Sequence, residues 1–351
     1  MISIAGMDYK NAPLDIREKV HFKNTDIAKA YKYLNETCNI KYSVILSTCN
    51  RSEIYFIADT KEIGKKSISE FYKNFFNLSD FIIENYIYMK CDKQAMEHLF
   101  RVTSGYESMV LGEDQILGQV KEAYETAIYN RSSGKVLNRL FLDSITAAKK
   151  IKSTTGVSNH SISVSSIGVK LIENHMVSLK GKRALVIGLG EMTEIAIQYL
   201  MQKELEDIYV TNRTIKKSLD FTVDYPSVKC IDFSDRYKEI ENIDILISCT
   251  SAPHLVIQKG RFLEHYKGRS LCILDLAVPR DIDPLIKNIP GVDFYEIDDL
   301  QKISTNNKKT REKVMEKGYE IIEEGIYKYL KWLNKAENYS REKLERVCIR
   351  P

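Results

Sequence analysis

The sequence contains no long apolar run. Apolar stretches such as residues 184–187 and 271–274 are far shorter than the roughly 20 residues that a membrane-spanning helix needs. The first residues also lack a basic stretch followed by an apolar one, so no secretory signal is predicted. The seven cysteines are scattered and form no C-x-x-C pair, which argues against a zinc finger or a disulfide framework. We therefore expect a protein of the reducing cytoplasm with no membrane partner.

Charge of one sign is not in excess either, since 52 basic and 48 acidic side chains leave a net charge of +4. A protein that coats nucleic acid would be more basic, although a local RNA-binding patch stays open. Apolar residues make up 44% of the 351 residues and charged residues 28%, as in folded globular proteins. This length predicts two or three domains.

Periodicity divides the chain into three segments. Residues 1–155 mix short β-branched or aromatic runs with helical apolar spacing, which predicts an α+β domain. In residues 156–297 buried-strand runs alternate with helices, which predicts a doubly wound parallel sheet of the Rossmann type. Residues 298–351 predict a polar helix with a heptad stripe. The stripe consists of Met315, Tyr319, Ile322, Ile326, Tyr329 and Leu333. It either packs on its own domain or forms a dimer interface, and so short a segment favours the dimer.

A glycine-rich turn follows the first predicted strand of the middle segment. Gly188-Leu189-Gly190-Glu191-Met192-Thr193 joins that strand to a helix, and such glycines let a pyrophosphate approach the helix N-terminus. Thr193 stands where the pattern usually has its third glycine. The next strand ends in Thr211-Asn212-Arg213, which offers no carboxylate for a ribose hydroxyl but a guanidinium for a 2′-phosphate. These residues predict an NADP(H) site; the alternatives are a plain strand-turn-helix corner and a solvated arginine.

A cysteine in a polar turn is the candidate nucleophile. Cys49 stands between two predicted strands, beside Thr48, Asn50 and Arg51, and a nearby cation lowers the pKa of a thiol. His98 lies on an amphipathic helix and is either a core histidine or a proton donor. A dense polar run follows: Ser108, Glu113, Asp114, Gln115 and Gln119. This run predicts either a helix start, where negative charge is favourable, or a pocket for an ammonium group. The sequence has no P-loop and no metal-binding motif.

In combination these motifs resemble the glutamyl-tRNA reductases. The resemblance rests on residues 46–55, on the blocks that begin at His98 and Leu111, and on the Gly188 and Asn212 turns, all in the family's order. It extends to Asp298-Asp299-Leu300, Asn307 and Arg311, and so covers nearly the whole chain. It implies three domains: residues 1–155 for catalysis, 156–297 for NADPH binding and 298–351, short for the family, for helical dimerisation.

The resemblance also implies a reaction. Cys49 would attack the ester carbonyl of glutamyl-tRNA and expel the tRNA, and NADPH would reduce the thioester to glutamate-1-semialdehyde. This is the first step of the five-carbon route to 5-aminolevulinate and porphyrins. Thr48, Asn50 and Arg51 would contact the glutamyl group, with Arg51 facing its carboxylate, and the polar run would complete the substrate site. His98 matches a histidine important for activity. The resemblance further implies a V-shaped homodimer with room for an aminomutase that receives the aldehyde.

The chain departs from the family pattern at three places. Tyr9 replaces a common histidine, Thr193 replaces a glycine, and residues 152–155 replace an arginine-rich stretch. Two other functions stay open. One is a thiol-dependent reductase of a small acyl or aldehyde substrate, which would not require glutamyl-tRNA. The other is a dimeric nucleotide-binding regulator, in which Cys49 would be dispensable. The intact Cys49-Asn50-Arg51 turn favours an enzyme over a regulator.

Overall fold

The chain folds into two compact units. A computed structural model describes residues 1–23, 25–155, 163–300 and 308–348, with side chains left out at 308–315 and 337–348. One unit takes the chain up to residue 161 together with the chain from residue 307 onward, and the other takes residues 162–306. The chain thus divides after residue 161, and the boundary predicted from the sequence lies after residue 155.

An antiparallel sheet forms the centre of the first unit. Its strands lie in the order β2-β3-β1-β4. They are β1 (Ile2–Asp8), β2 (Ser43–Ser47), β3 (Arg51–Ile57) and β4 (Tyr88–Cys91). β2 and β3 pair from Ser43 opposite Phe56 to Ser47 opposite Ser52, so the connection that carries Cys49 is a tight turn. The α+β prediction is confirmed, and the sequence missed β1 and β4.

Helices surround this sheet. They are α1 (Leu14–Arg17), α2 (Ile27–Glu36), α3 (Lys61–Phe75), α4 (Asp80–Tyr86), α5 (Lys93–Thr103), α6 (Gln115–Tyr129) and α7 (Lys135–Thr155). Their apolar faces bury large side chains such as Phe71, Phe100 and Phe141 against the strands. Burial of this kind is the main stabilising contribution to the fold. The three helices that periodicity predicts between residues 94 and 151 correspond to α5, α6 and α7.

The last helix, α12 (Lys308–Cys348), packs on the first unit. Ile322, Ile326 and Tyr329 from the heptad stripe are at most 5% exposed and belong to that unit's core. A Cβ at Gly325 would lie 2.5 Å from the Phe100 ring, so α12 and α5 approach closely at this glycine. The structure therefore differs from the prediction of a separate domain from residue 298, because these apolar side chains are already buried by their own chain. The side chain of Met315 lies outside the described residues.

The second unit is a parallel six-stranded sheet with helices. Its strands are β5 (Arg183–Ile187), β6 (Asp207–Thr211), β7 (Val228–Cys230), β8 (Ile245–Ser248), β9 (Leu271–Asp275) and β10 (Val292–Glu296). The helices are α8 (Val164–Met176), α9 (Glu191–Met201), α10 (Ile215–Asp224) and α11 (Lys259–His265). The strand order is β10-β9-β8-β5-β6-β7. This is the Rossmann order, which reverses between β5 and β8, and it confirms the predicted fold class.

Candidate active site

Cys49 lies at the tip of the β2–β3 hairpin. The Thr48 amide donates to the Arg51 carbonyl at 2.8 Å, and the Thr48 hydroxyl accepts from the amides of Asn50 and Arg51 at 3.2 Å. Arg17 reaches the turn from α1 and donates to the Cys49 carbonyl at 2.6 Å. The side chain of Cys49 is half-buried. The turn is thus fixed by its own threonine and by an arginine that no sequence motif singles out.

Beneath the turn lies a buried charge network centred on Glu53. Arg51 donates to this carboxylate at 2.6 Å, and both side chains are at most 1% exposed. Three further donors contact the same carboxylate at 2.6 to 2.8 Å: Tyr55, Tyr88 and His98. Although burial opposes ionisation, Arg51 and His98 hold the pKa of Glu53 well below its usual range.

Arg51 does not occupy the position that the sequence predicts for it. Its second terminal nitrogen donates to the Glu107 carbonyl at 2.5 Å, so the guanidinium holds two parts of the protein together. In this conformation Arg51 is therefore already paired and does not present a free guanidinium to a substrate carboxylate. The Glu53 carboxylate neutralises the positive charge of Arg51, because an unpaired guanidinium would be costly to bury.

His98 is a buried member of the network. Its Nε2 lies 2.8 Å from Glu53, its Nδ1 lies 2.8 Å from the Lys90 ammonium, and the residue is 4% exposed. Lys90 can only donate, so Nδ1 accepts and Nε2–H donates to Glu53. With both ring nitrogens engaged, the geometry favours the core interpretation of His98 over a proton donor that faces substrate.

The Cys49 thiol is protonated in the free protein. Burial and the neighbouring Glu113 carboxylate raise its pKa to about 12, against the opposing effect of Arg17 and Arg51. Arg51 lowers the pKa as the sequence predicts, but burial and Glu113 outweigh it, so the net shift in the free protein is upward. Glu113 therefore lies close enough to the Cys49 thiol to raise its pKa.

The polar run after α5 is tied to the hairpin. Tyr9 donates its amide to the Asn50 carbonyl at 2.9 Å and its hydroxyl to the Ser108 carbonyl at 3.2 Å. Glu107 pairs with Lys10 and also with Arg101, the latter at 2.6 Å. These contacts bring Ser108 to the Cys49 turn. From the sequence, Tyr9 is notable only as a departure from the family pattern, and no role is assigned to Lys10, Arg101 or Glu107.

The helix-start interpretation of this run is correct in position, because α6 begins at Gln115. Asp114 is the N-cap residue of α6 but forms no side-chain cap, and its carboxylate lies 2.5 Å from the Lys152 ammonium. Two buried polar atoms at predicted substrate positions have no hydrogen-bond partner among the described residues: Asn50 Oδ1 and Gln115 Nε2. Gln119 lies half-buried one turn further along α6. Buried orphan groups are rare and mark places where a ligand supplies the missing partner.

The glycine turn lies between β5 and α9. Gly188 has φ +93°, and a Cβ there would overlap the Cys249 carbonyl oxygen, so only glycine fits. At Gly190, the N-cap of α9, a Cβ would meet no atom of the described chain within 4 Å. The Thr193 hydroxyl accepts from the Gly190 amide and donates to its carbonyl, both at 2.9 Å. Open space at a helix N-terminus fits a pyrophosphate.

The other residues predicted for the nucleotide site surround this turn. Leu189 and Met192 are half-buried and Glu191 is exposed. Arg213 is exposed two residues after β6, the strand next to β5. The residue is accessible to a ligand at the carboxyl ends of these strands, where doubly wound sheets bind nucleotides. The motif and the strand order thus indicate the same place for a nucleotide.

A Rossmann unit with an open glycine turn at its strand-order switch point is the fold of oxidoreductases that use a pyridine nucleotide. Family models agree with this class. Residues 5–155 match the glutamyl-tRNA reductase N-terminal domain, and residues 170–303 match shikimate/quinate 5-dehydrogenase.

Relatives identify the family. The chain is 42% identical to the glutamyl-tRNA reductase of Clostridium novyi, over 95% of this chain and 80% of the relative. It is 38% identical to that of Alkaliphilus metalliredigens, over 97% and 80% of the two chains. The solved glutamyl-tRNA reductase of Methanopyrus kandleri superposes with a TM-score of 0.53 at 28% identity, covering 99% of this chain and 88% of that one. This chain belongs to the glutamyl-tRNA reductase family.

None of the described helices combines the length and apolar character needed to cross a bilayer. Within the same residues, no group of histidine, cysteine and carboxylate side chains is arranged to hold a metal ion.

Proposed function

We propose that this protein is an NADPH-dependent glutamyl-tRNA reductase that forms glutamate-1-semialdehyde through a thioester on Cys49. The observation that carries the proposal is the tether between the Cys49 turn and the polar run, through Tyr9 and Arg51. The relatives' name supplies the substrate, and the thiol in this setting supplies the chemistry. The aldehyde would enter 5-aminolevulinate and porphyrin synthesis.

The orphan polar atoms complement a glutamyl group. Asn50 Oδ1 is an acceptor that suits the α-ammonium, and Gln115 Nε2 is a donor that suits a carboxylate or carbonyl oxygen. Glu113 adds negative charge beside Cys49, which also suits an ammonium group. Thr48, Ser108, Asp114 and Gln119 complete the proposed substrate site. Arg51 would act as a positioning residue that links the turn to the polar run, and His98 would support Arg51 through their shared partner Glu53.

Substrate binding would activate the nucleophile. An ammonium group against Glu113 neutralises a charge that keeps the thiol protonated, so the pKa of Cys49 falls when the glutamyl group arrives. The thiolate then attacks the ester carbonyl, and the terminal hydroxyl of the tRNA leaves with a proton. When bound, the reduced nucleotide supplies the hydride that reduces the thioester. Release of the aldehyde returns the Cys49 thiolate.

The nucleotide site is proposed on the turn from Gly188 to Thr193. The amide groups at the N-terminus of α9 would hold the pyrophosphate, and Arg213 would pair with the 2′-phosphate that distinguishes NADPH from NADH. Thr193 already occupies the Gly190 amide, so the neighbouring amides carry more of the contact. A homodimer, an aminomutase partner and a cytoplasmic location stay predictions.

The substrate requirement tests the proposal. Aldehyde formation is measured with glutamyl-tRNA, with free glutamate and with small acyl thioesters, each with NADPH and with NADH. We expect product from glutamyl-tRNA alone and faster reduction with NADPH. Efficient turnover of small thioesters would favour the small-molecule reductase. Activity in no arm, from a folded protein, would contradict the proposal and favour a regulator.

A further inference from the structure

A buried carboxylate, that of Asp281, holds the chain at the carboxyl end of β8, next to the proposed nucleotide site. Asp281 is fully buried and accepts three hydrogen bonds: from the Ser248 hydroxyl at 2.7 Å, the Thr250 amide at 2.7 Å and the Thr250 hydroxyl at 2.6 Å. Ser248 is the last residue of β8, and Thr250 lies two residues beyond it. The carboxylate therefore fixes the chain at the point where β8 delivers it to the carboxyl edge of the sheet.

The segment fixed in this way packs against the glycine turn. The carbonyl oxygen of Cys249, between the two residues that Asp281 holds, occupies the space that a Cβ on Gly188 would need. Gly188 follows β5, which pairs with β8 at the point where the strand order reverses. Dinucleotides bind at this switch point, one half of the molecule on each half of the sheet. Asp281 belongs to the second half, with β8, β9 and β10.

A second carboxylate holds Asp281 itself. Asp275, the last residue of β9, is 1% exposed and accepts from the amides of Asp281 at 3.0 Å and Ile282 at 2.9 Å. Burial raises the pKa of Asp275 and of Asp281, which reflects the cost of removing both from water. Apolar side chains would close the same loop without that cost. The carboxylates instead provide directed acceptors that set the backbone beside Gly188.

We propose that Asp281 is a positioning residue for the nicotinamide half of the pyridine nucleotide, acting through Thr250 and the Cys249 backbone. The inference rests on the proposed reductase function and deepens its nucleotide site. Arg213 and the strands from β5 to β7 belong to the other half, which receives the adenosine. Loss of the Asp281 contacts should therefore weaken binding of the whole nucleotide and leave binding of its adenosine half intact.

The test compares Asp281→Asn and Thr250→Val with the control Asp283→Asn. In Asp281→Asn the new side-chain NH₂ group would face donors at Ser248 and Thr250. Thr250→Val keeps the volume and the amide bond to Asp281, and loses the two bonds of the hydroxyl, to Asp281 and from the Ala252 amide. Asp283 lies two residues from Asp281, but its carboxylate caps a short 3-10 helix at Leu285 and accepts from the Lys259 amide, not from Ser248 or Thr250. Dissociation constants are measured on the full chain for NADPH and for 2′,5′-ADP, together with labelling of Cys49 by glutamyl-tRNA without nucleotide.

We expect NADPH binding to weaken about tenfold in Asp281→Asn and severalfold in Thr250→Val, as for lost hydrogen bonds to a charged group. Binding of 2′,5′-ADP and labelling of Cys49 should stay within about twofold of wild type, as should all values for the control. Wild-type NADPH affinity in both variants overturns the inference, as does equal weakening for both ligands. If Asp281→Asn does not fold, Thr250→Val decides. A wild type that binds NADPH but forms no aldehyde contradicts the proposed function alone.

Discussion

Arg51, two residues after Cys49, donates from its guanidinium to the Glu53 carboxylate at 2.6 Å. Neither side chain is more than 1% exposed. A charge buried to this extent requires full satisfaction by its neighbours. The same carboxylate accepts from three other side chains: Tyr55, Tyr88 and His98. Since β3 begins at Arg51, this network fixes the strand that follows the Cys49 turn.

Glu53→Gln should destabilise the protein by about 3–5 kcal/mol, because it leaves the buried Arg51 without a counter-charge. Chemical denaturation measures the free energy of unfolding. The matched control is Glu122→Gln on the exposed face of α6, which should change that free energy by less than about 0.5 kcal/mol. Equal changes in the free energy of unfolding for Glu53→Gln and Glu122→Gln would contradict a stabilising role of the Glu53 network.

The pH dependence of the same comparison follows from the lowered pKa of Glu53 in the folded state. The contribution of Glu53 is fully present above its unfolded pKa of about 4.3 and declines as the pH falls toward its folded pKa. The stability difference between wild type and Glu53→Gln should therefore shrink below about pH 4, by up to about 1.4 kcal/mol per pH unit. Unfolding curves at pH 7, 5, 4 and 3 check this, and a difference that grows toward acid would contradict it.

Alkylation of Cys49 by iodoacetamide should be slow at pH 7 and should rise about tenfold per pH unit up to pH 10, because its pKa is raised to about 12. Glu113→Gln removes a negative charge beside the thiol and should speed alkylation at a given pH, whereas Glu122→Gln should not. Peptide-resolved mass spectrometry separates Cys49 from the other six cysteines. A plateau below pH 9 would show that the thiol is already activated in the free protein.

Gly190→Ala should leave thermal stability nearly unchanged and still weaken NADPH binding at least tenfold. A Cβ at this position meets no atom of the described residues within 4 Å, so it would fill space proposed for the pyrophosphate. The control is Gly260→Ala on α11, where a Cβ is equally free of contacts with the part of the chain that the structure describes. Calorimetry gives both quantities. Unchanged NADPH affinity in Gly190→Ala would place the pyrophosphate elsewhere.

Arg213→Leu should reduce the preference for NADPH over NADH by about tenfold or more, the size expected for a charged hydrogen bond. Affinity for NADH should stay close to wild type, because NADH has no 2′-phosphate to lose contact with. Lys216→Leu is the control, since it removes a positive charge from the exposed start of α10 nearby. The measurement is the ratio of the dissociation constants for NADPH and NADH. An unchanged ratio in Arg213→Leu would show that Arg213 does not bind the 2′-phosphate.

The sequence predicts the architecture well where one pattern has one structural meaning. The β5 run and its glycine turn indicated a Rossmann unit, and the strand order agrees. The short β7 and the half-buried β10 escaped notice because neither presents a continuous apolar run. The heptad stripe was ambiguous, since spacing records an apolar face but not whether a second copy or the same chain covers it.

The site was less predictable than the fold. Cys49 was found from its polar turn, but its pKa depends on burial and on Glu113, which only the folded chain brings into place. Arg51 was expected to face substrate, and its pairing with Glu53 depends on a side-chain direction that periodicity does not give. Asp281 carried no signal at all, because a single carboxylate after a strand is ordinary until the donors around it are seen.

The most direct test of the account is to incubate the full chain with glutamyl-tRNA charged with labelled glutamate, in the absence of nucleotide, and to locate the label by mass spectrometry. The account predicts a glutamyl thioester on Cys49 in wild type, discharge of the label as glutamate-1-semialdehyde when NADPH is added, and neither in Cys49→Ser. Aldehyde formation by Cys49→Ser at the wild-type rate, or a label on another residue, would contradict it.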